Sequence, residues 1–226
     1  MYFVAKPIVS DGLVFQVDPA NTVCYTSGST TVNSLAGNSI SGSLIGNTTF
    51  TNNALGSFYF DGSGDYIQTN FKLNNYFTDN ANFTVSTWMN VAVNNQISPI
   101  GNAIEGSSGW TMFNFYGSMQ MLYYSSSIYS TVTIGGLGFT PINTWVNFTF
   151  VLNSLTGSGY YNGRLMTTTP ITSYAVNSVN TGIGTFNGTG GYAFSGSIGV
   201  SQIYNRALTP SEVSQNFNAL RGRYGI

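Results

Sequence analysis

"IYNRALTPSEVSQNF", from Ile203 to Phe217, is the stretch whose reading decides the fold. Thr209 is placed to be an N-cap, Pro210 follows at the first helical position, and Glu212 stands three residues after the cap. That is a capping box, with proline where its missing N–H costs nothing. Val213, Phe217 and Leu220 then recur at i, i+4 and i+7, one apolar stripe on a short helix. Nearly everything before this point reads as strands and turns. The chain is therefore all-β with one short C-terminal helix, and the stripe is expected to cover an open end of the β-structure. The residues beyond Gly222 are expected to form a free tail.

Upstream, short apolar and aromatic runs are separated by Gly, Asn and Ser turns, the pattern of an antiparallel sandwich. In "TWVNFTFVLN" (144–153), Val146, Phe148, Phe150 and Leu152 share one face, opposite Trp145, Asn147 and Thr149. In "NFTVSTWMNVAV" (82–93), Phe83, Val85, Thr87, Met89 and Val91 oppose Trp88. "GLVFQVD" (12–18) opens the series, and "GYYNGRLM" (159–166) carries Asn162-Gly163, the favoured pair for a type I′ hairpin turn. The segment 109–134, "GWTMFNFYGSMQMLYYSSSIYSTVTI", is apolar on both faces. Trp110, Met112 and Tyr116 oppose Phe113 and Phe115, while Met119, Met121 and Tyr123 oppose Leu122 and Tyr124. Strands of this kind are usually covered on both sides, so this segment is the expected contact surface.

The composition narrows the class. Of 226 residues, 42% are hydrophobic but only 6% are charged, well below the usual quarter. No apolar run is long enough for a membrane-spanning helix, and 15 Tyr, 16 Phe and 3 Trp exclude disorder. Polarity comes from Ser, Thr, Asn and Gly. Six basic residues and a net charge of −1 exclude a phosphate-tracking surface, so nucleic acid is not an expected partner, and the lack of a long apolar run removes the membrane. Arg221 and Arg223 read as a cationic helix end. A single cysteine, Cys24, permits no internal disulfide. The opening "MYFVAKPIVSDG" lacks the apolar region of a secretory signal. A hydroxyl- and amide-rich surface made without a signal suits a virion component synthesised in a host cytoplasm. A periplasmic or surface protein whose leader has been removed is the competing account.

Several of these segments together resemble laminin-G-like, concanavalin-A-like jelly-roll domains. They are "GLVFQVDPAN", "NSLAGNSISGSL", "GSFYFDGSGDYIQT" and "FTVSTWMN", then "TWVNFTFVLN", "YYNGRL" and "FSGSIGVSQIYNRALTPSEVSQNF", in order over about residues 12–220. The terminal "NALRGRYGI" is similar to the ends of such domains in structural proteins of tailed bacteriophages. The resemblance implies a two-sheet antiparallel jelly-roll β-sandwich, one domain over 1–226. It also implies a non-enzymatic virion structural protein, a capsid decoration or appendage subunit, partnered by other virion proteins and by copies of itself. A lectin-like module for a host-surface glycan is the alternative, and a glycoside hydrolase a second. The family's Asp-Leu-Ser-Gly-Asn core is replaced here by Asn33-Ser34-Leu35-Ala36-Gly37-Asn38, which has no acid.

The side-chain inventory restricts the chemistry. There is no histidine, which removes Ser-His-Asp and Cys-His catalysis and His-ligated zinc. Glycoside hydrolysis on this fold needs paired carboxylates, yet the chain has two glutamates, Glu105 and Glu212, and the second belongs to the capping box. No catalytic residue or cofactor is assigned. Asp61 and Asp65, in "FDGSGDYI", are calcium candidates, or else the caps of a Gly-rich hairpin turn. Four N-x-Ser/Thr sites, at Asn47, Asn82, Asn147 and Asn187, are what chance gives in so Asn-, Ser- and Thr-rich a chain. Trp110, Tyr116, Tyr123 and Tyr124 are candidates for contact with a glycan or a partner, because sugar C–H faces stack on aromatic rings. The bland reading packs the same four in the core or an oligomer interface.

Overall fold

The alternation of apolar and polar residues folds into sixteen strands in a computed structural model that describes residues 6–37 and 39–226. The first half holds β1 (Leu13–Val17), β2 (Thr31–Asn33), β3 (Ser41–Ile45), β4 (Thr49–Thr51), β5 (Ser57–Asp61), β6 (Tyr66–Lys72), β7 (Phe83–Val91) and β8 (Gln96–Gly101). The second holds β9 (Ser108–Phe115), β10 (Ser118–Ser125), β11 (Ile128–Ile134), β12 (Trp145–Asn153), β13 (Thr156–Tyr161), β14 (Arg164–Pro170), β15 (Asn180–Ile183) and β16 (Ser195–Tyr204). Helix α1 (Pro210–Leu220) follows. Residues 1–5 of the opening segment, and Asn38 of the segment that departs from the family pattern, lie outside the described residues.

Two antiparallel sheets form the sandwich. The first has the order β14-β13-β12-β7-β16-β5-β4, and β1 pairs with the C-terminal half of β16 while β5 pairs with its N-terminal half. The second has the order β11-β10-β9-β8-β15-β6-β3-β2. Val146, Phe148, Phe150 and Leu152 of β12 meet Met112, Met121, Tyr123 and Val132 of the other sheet in one buried core. The register of β7 and β12, with Phe83 opposite Leu152 and Met89 opposite Val146, sends both apolar sets inward.

The β13–β14 connection is the two-residue Asn162-Gly163 turn, with φ of 49° and 74°. Asn162 Oδ1 accepts the Asn147 N–H at 2.8 Å. A Cβ on Gly163 would stand 2.8 Å from the Phe217 side chain, so the helix packs directly over this turn.

The helix sits elsewhere than expected. It lies on the outer face of the first sheet and not over an open end. Val213 packs with Val9, Val151, Tyr160, Tyr204 and Leu208, and Phe217 with Trp88, Trp145, Val200 and Tyr224. Trp88, Val151 and Tyr204 all point out of the sandwich, and an apolar outer face requires a cover. Nor is the tail free. Arg223 donates to Asp18 Oδ1 at 2.6 Å and to the Ala54 and Gly56 carbonyls at 2.7 and 2.6 Å. Tyr224 is buried against Trp88. The apolar stripe was visible in the sequence, but the face it covers was not.

Candidate functional site

Among the described residues, no helix lies over the second sheet. On β9 and β10 the inward set is Trp110, Met112, Met119, Met121 and Tyr123, all in the core. The outward set is Phe113 and Phe115 from β9, and Gln120, Leu122 and Tyr124 from β10. Tyr129 of β11 stands directly opposite Tyr124, because a two-residue Ser126-Ser127 turn joins the strands. Both serines are at positive φ, 46° and 70°.

These side chains line an open groove of about 500 Å³, with Glu105 and Gly106 at its rim. That volume is within the range of ligand clefts. The rim is fixed by its neighbours: Ser126 N–H donates to the Ser107 carbonyl and Ser127 N–H to the Gly106 carbonyl, each at 2.8 Å. On one flank the loop after β15 folds over the sheet. Phe186 and Tyr192 meet Phe113 edge-on, with centroids 6.0 and 5.1 Å away. This loop holds its own shape, since Thr185 Oγ1 donates to the Gly191 carbonyl and accepts the Gly190 N–H. It covers part of the aromatic face and leaves the part around Tyr129 open, where Tyr129 is 65% exposed.

Among the described residues, the Tyr124 and Tyr129 hydroxyls and the Gln120 amide make no hydrogen bond within the protein. Burial, and then the negative charge of Glu105, push the Tyr124 phenol well above its ordinary pKa. It therefore stays a neutral hydroxyl able to donate and accept. The groove thus offers ring faces, an amide, two phenols and one carboxylate. Hydrolysis of a glycosidic bond uses two carboxylates, and among the described residues Glu105 is the only one lining the groove.

The four aromatic candidates separate. Trp110 is 1% exposed and Tyr123 is fully buried, both between the sheets, where they contact no external ligand. Their parity on β9 and β10 points them inward, so their assignment to a contact surface is corrected. Tyr124 lines the groove. Tyr116 sits in the β9–β10 turn at positive φ, 45% exposed, edge-on to Phe115 at 5.0 Å, beside the groove and not in its lining. Tyr129 and the Phe186–Tyr192 cover were missed. The sequence signal for Tyr129 was the short "YSSSIY" hairpin, which brings Tyr124 and Tyr129 together.

The calcium candidates adopt the turn geometry. Asp65 is buried, with one carboxylate oxygen accepting the Asn47 N–H and the other the Asp61 N–H at 3.0 Å. Asp61 Oδ1 accepts the Ser63 N–H at 2.7 Å. Amide hydrogens aimed at both carboxylates are the opposite of what a cation site presents, so these residues do not fit calcium. Among the described residues, no three acidic, Cys or His side chains gather as metal ligands.

Solved structures with the same fold include the binding domain of Paraclostridial Mosquitocidal Protein 1, with a TM-score of 0.72 and 18% identity over 93% of this chain and 52% of that one. The binding domain of botulinum neurotoxin serotype D gives 0.69 and 15% over 92% and 52%. A botulinum neurotoxin type C structure, described as dependent for cell entry on two ganglioside molecules, gives 0.72 and 14% over 93% and 52%. The chain spans about half the length of these proteins, and at such identities the likeness carries the fold. No curated protein matches the sequence. The family described as the concanavalin A-like lectin/glucanases superfamily matches residues 61–214. With its two-sheet jelly roll, the chain belongs to that superfamily.

Proposed function

We propose that this domain is a non-catalytic carbohydrate-recognition module whose binding surface is the groove on the outer face of β9, β10 and β11. The observation that carries this reading is the co-location of exposed ring faces with unpaired phenols and an unpaired amide in one open concavity. Rings stack on the C–H faces of sugars while amides and hydroxyls meet their hydroxyl groups. Support also comes from the similar solved structures, two of which are described as binding domains and a third of which concerns a toxin whose cell entry is described as dependent on interaction with two ganglioside molecules. Titration of the domain with immobilised oligosaccharides tests it, using Tyr129→Ala as the control. Binding lost in that variant is expected; an array on which the wild-type protein captures no glycan would sink the reading.

A second reading places the module on a virus particle, as a capsid decoration or appendage subunit that also contacts copies of itself. Thirteen acidic and basic residues in 226, with polarity carried by hydroxyls and amides, support it, as does the phage-like ending "NALRGRYGI". The two readings are compatible, since a particle-borne module can recognise a host-surface glycan. Mass spectrometry of purified particles decides the location, and absence of the chain from them would overturn it.

A further inference from the structure

Charge sorts the glycans that the groove can admit. Its lining has one carboxylate, Glu105, and no lysine or arginine. Among the described residues Glu105 forms no ion pair, whereas Arg206 is held by Asp11 and Glu212, and Arg223 by Asp18. The faces of the exposed rings, Phe115 and Tyr129, are also negative, because an aromatic quadrupole presents electron density above and below the ring. Carboxylate and rings therefore act with the same sign on anything bound between them.

On the reading that the groove binds carbohydrate, we infer that it selects glycans bearing a free, protonated amine over N-acetylated and sialylated ones. An ammonium group beside Glu105 gains a charge partner and the attraction of the ring faces. Acetylation removes that charge while keeping the ring stacking. A sialic acid carboxylate would face Glu105 with no cation in the lining to offset the repulsion. The Gln120 amide and the two free phenols favour a hydroxylated ligand over a bare alkylammonium such as a lysine side chain, whose ammonium has no acceptor for their N–H and O–H donors. A concavity of about 500 Å³ is also larger than one ammonium group needs.

The test compares three probes by calorimetry on the whole domain: a β-1,4-linked glucosamine oligosaccharide, its fully N-acetylated counterpart of equal length, and sialyllactose. The expected result is about tenfold tighter binding of the amine form than of the acetylated form, from a single exposed charge and its ring neighbours. Sialyllactose is expected to bind weakest. Glu105→Gln should abolish the preference, with the amine form losing about tenfold in affinity, and Tyr129→Ala should weaken both. Both side chains are exposed, so neither variant threatens the fold. Equal or tighter binding of the acetylated or sialylated probe, or a preference that survives Glu105→Gln, overturns the inference and leaves the carbohydrate reading standing. Failure of every saccharide overturns both, including the case in which a lysine-rich peptide binds instead.

Discussion

Trp88 of β7 lies flat on Tyr224, with ring centroids 4.1 Å apart and planes 10° from parallel. Phe217 of α1 is stacked on the same indole at 5.5 Å. Tyr224 Oη also accepts the Val200 N–H at 2.9 Å. The last residues of the chain are therefore part of the layer that closes the first sheet. Truncating a well-packed buried aromatic costs roughly 3–5 kcal/mol. Tyr224→Ala is expected to cost about that much, measured as a lowered denaturation midpoint, and deletion of residues 223–226 should cost at least as much. Wild-type stability in either variant would show that the tail is dispensable.

Trp110 and Tyr129 are expected to respond in opposite ways. Trp110, stacked against Phe83 in the inter-sheet core at 5.7 Å, is a stability residue, and its replacement by Ala should cost roughly 3–5 kcal/mol. Tyr129→Ala, at an exposed position, should change stability by less than about 0.5 kcal/mol and impair glycan binding. Thermal melts and binding titrations on the same two variants separate the roles.

Glu212 makes stability depend on acidity. Two hydrogen bonds from Arg206, at 2.7 and 2.9 Å, and contacts with Thr209 lower its carboxyl pKa from 4.5 to about 2. A pKa lower in the folded than in the unfolded chain gives stability that is present in full above the unfolded value. It is lost as pH falls toward the folded value. Glu212→Gln should therefore cost about 1 kcal/mol at neutral pH. The gap to the wild type should close between about pH 4.5 and about pH 2. Urea melts of both proteins across that range check the sign.

Cys24 is expected to be inert in the native state. Burial raises its thiol pKa to about 11, and its sulfur accepts the Asp18 N–H at 3.3 Å. Since the thiolate is the reactive form, a thiol reagent at pH 8 should label none of the folded protein. One thiol per chain should react once the protein is unfolded in denaturant.

The positions that the sequence made legible were those governed by local rules. The capping box at Thr209 and Glu212, the Asn162-Gly163 turn and the alternation in β7 and β12 depend on neighbours a few residues away, and each is present in the structure. The contact surface was legible as a segment, 109–134, but which of its two faces stays open was not. Periodicity assigns residues to opposite faces and carries no label for inside. Trp110 and Tyr116 share parity in the sequence, yet the β9–β10 turn breaks the strand after Phe115, and only Tyr116 is exposed.

By itself, then, the sequence determined the class, an antiparallel β-sandwich with one capped helix, and the chemistry that a chain without histidine cannot perform. The tertiary structure decided where the helix lies, what holds the tail and which aromatics reach solvent. Those outcomes rest on contacts between residues far apart in the chain, such as Arg223 with Asp18 and Tyr192 with Phe113. Local periodicity cannot register them, because the free energy of burying a face exists only once both surfaces are assembled.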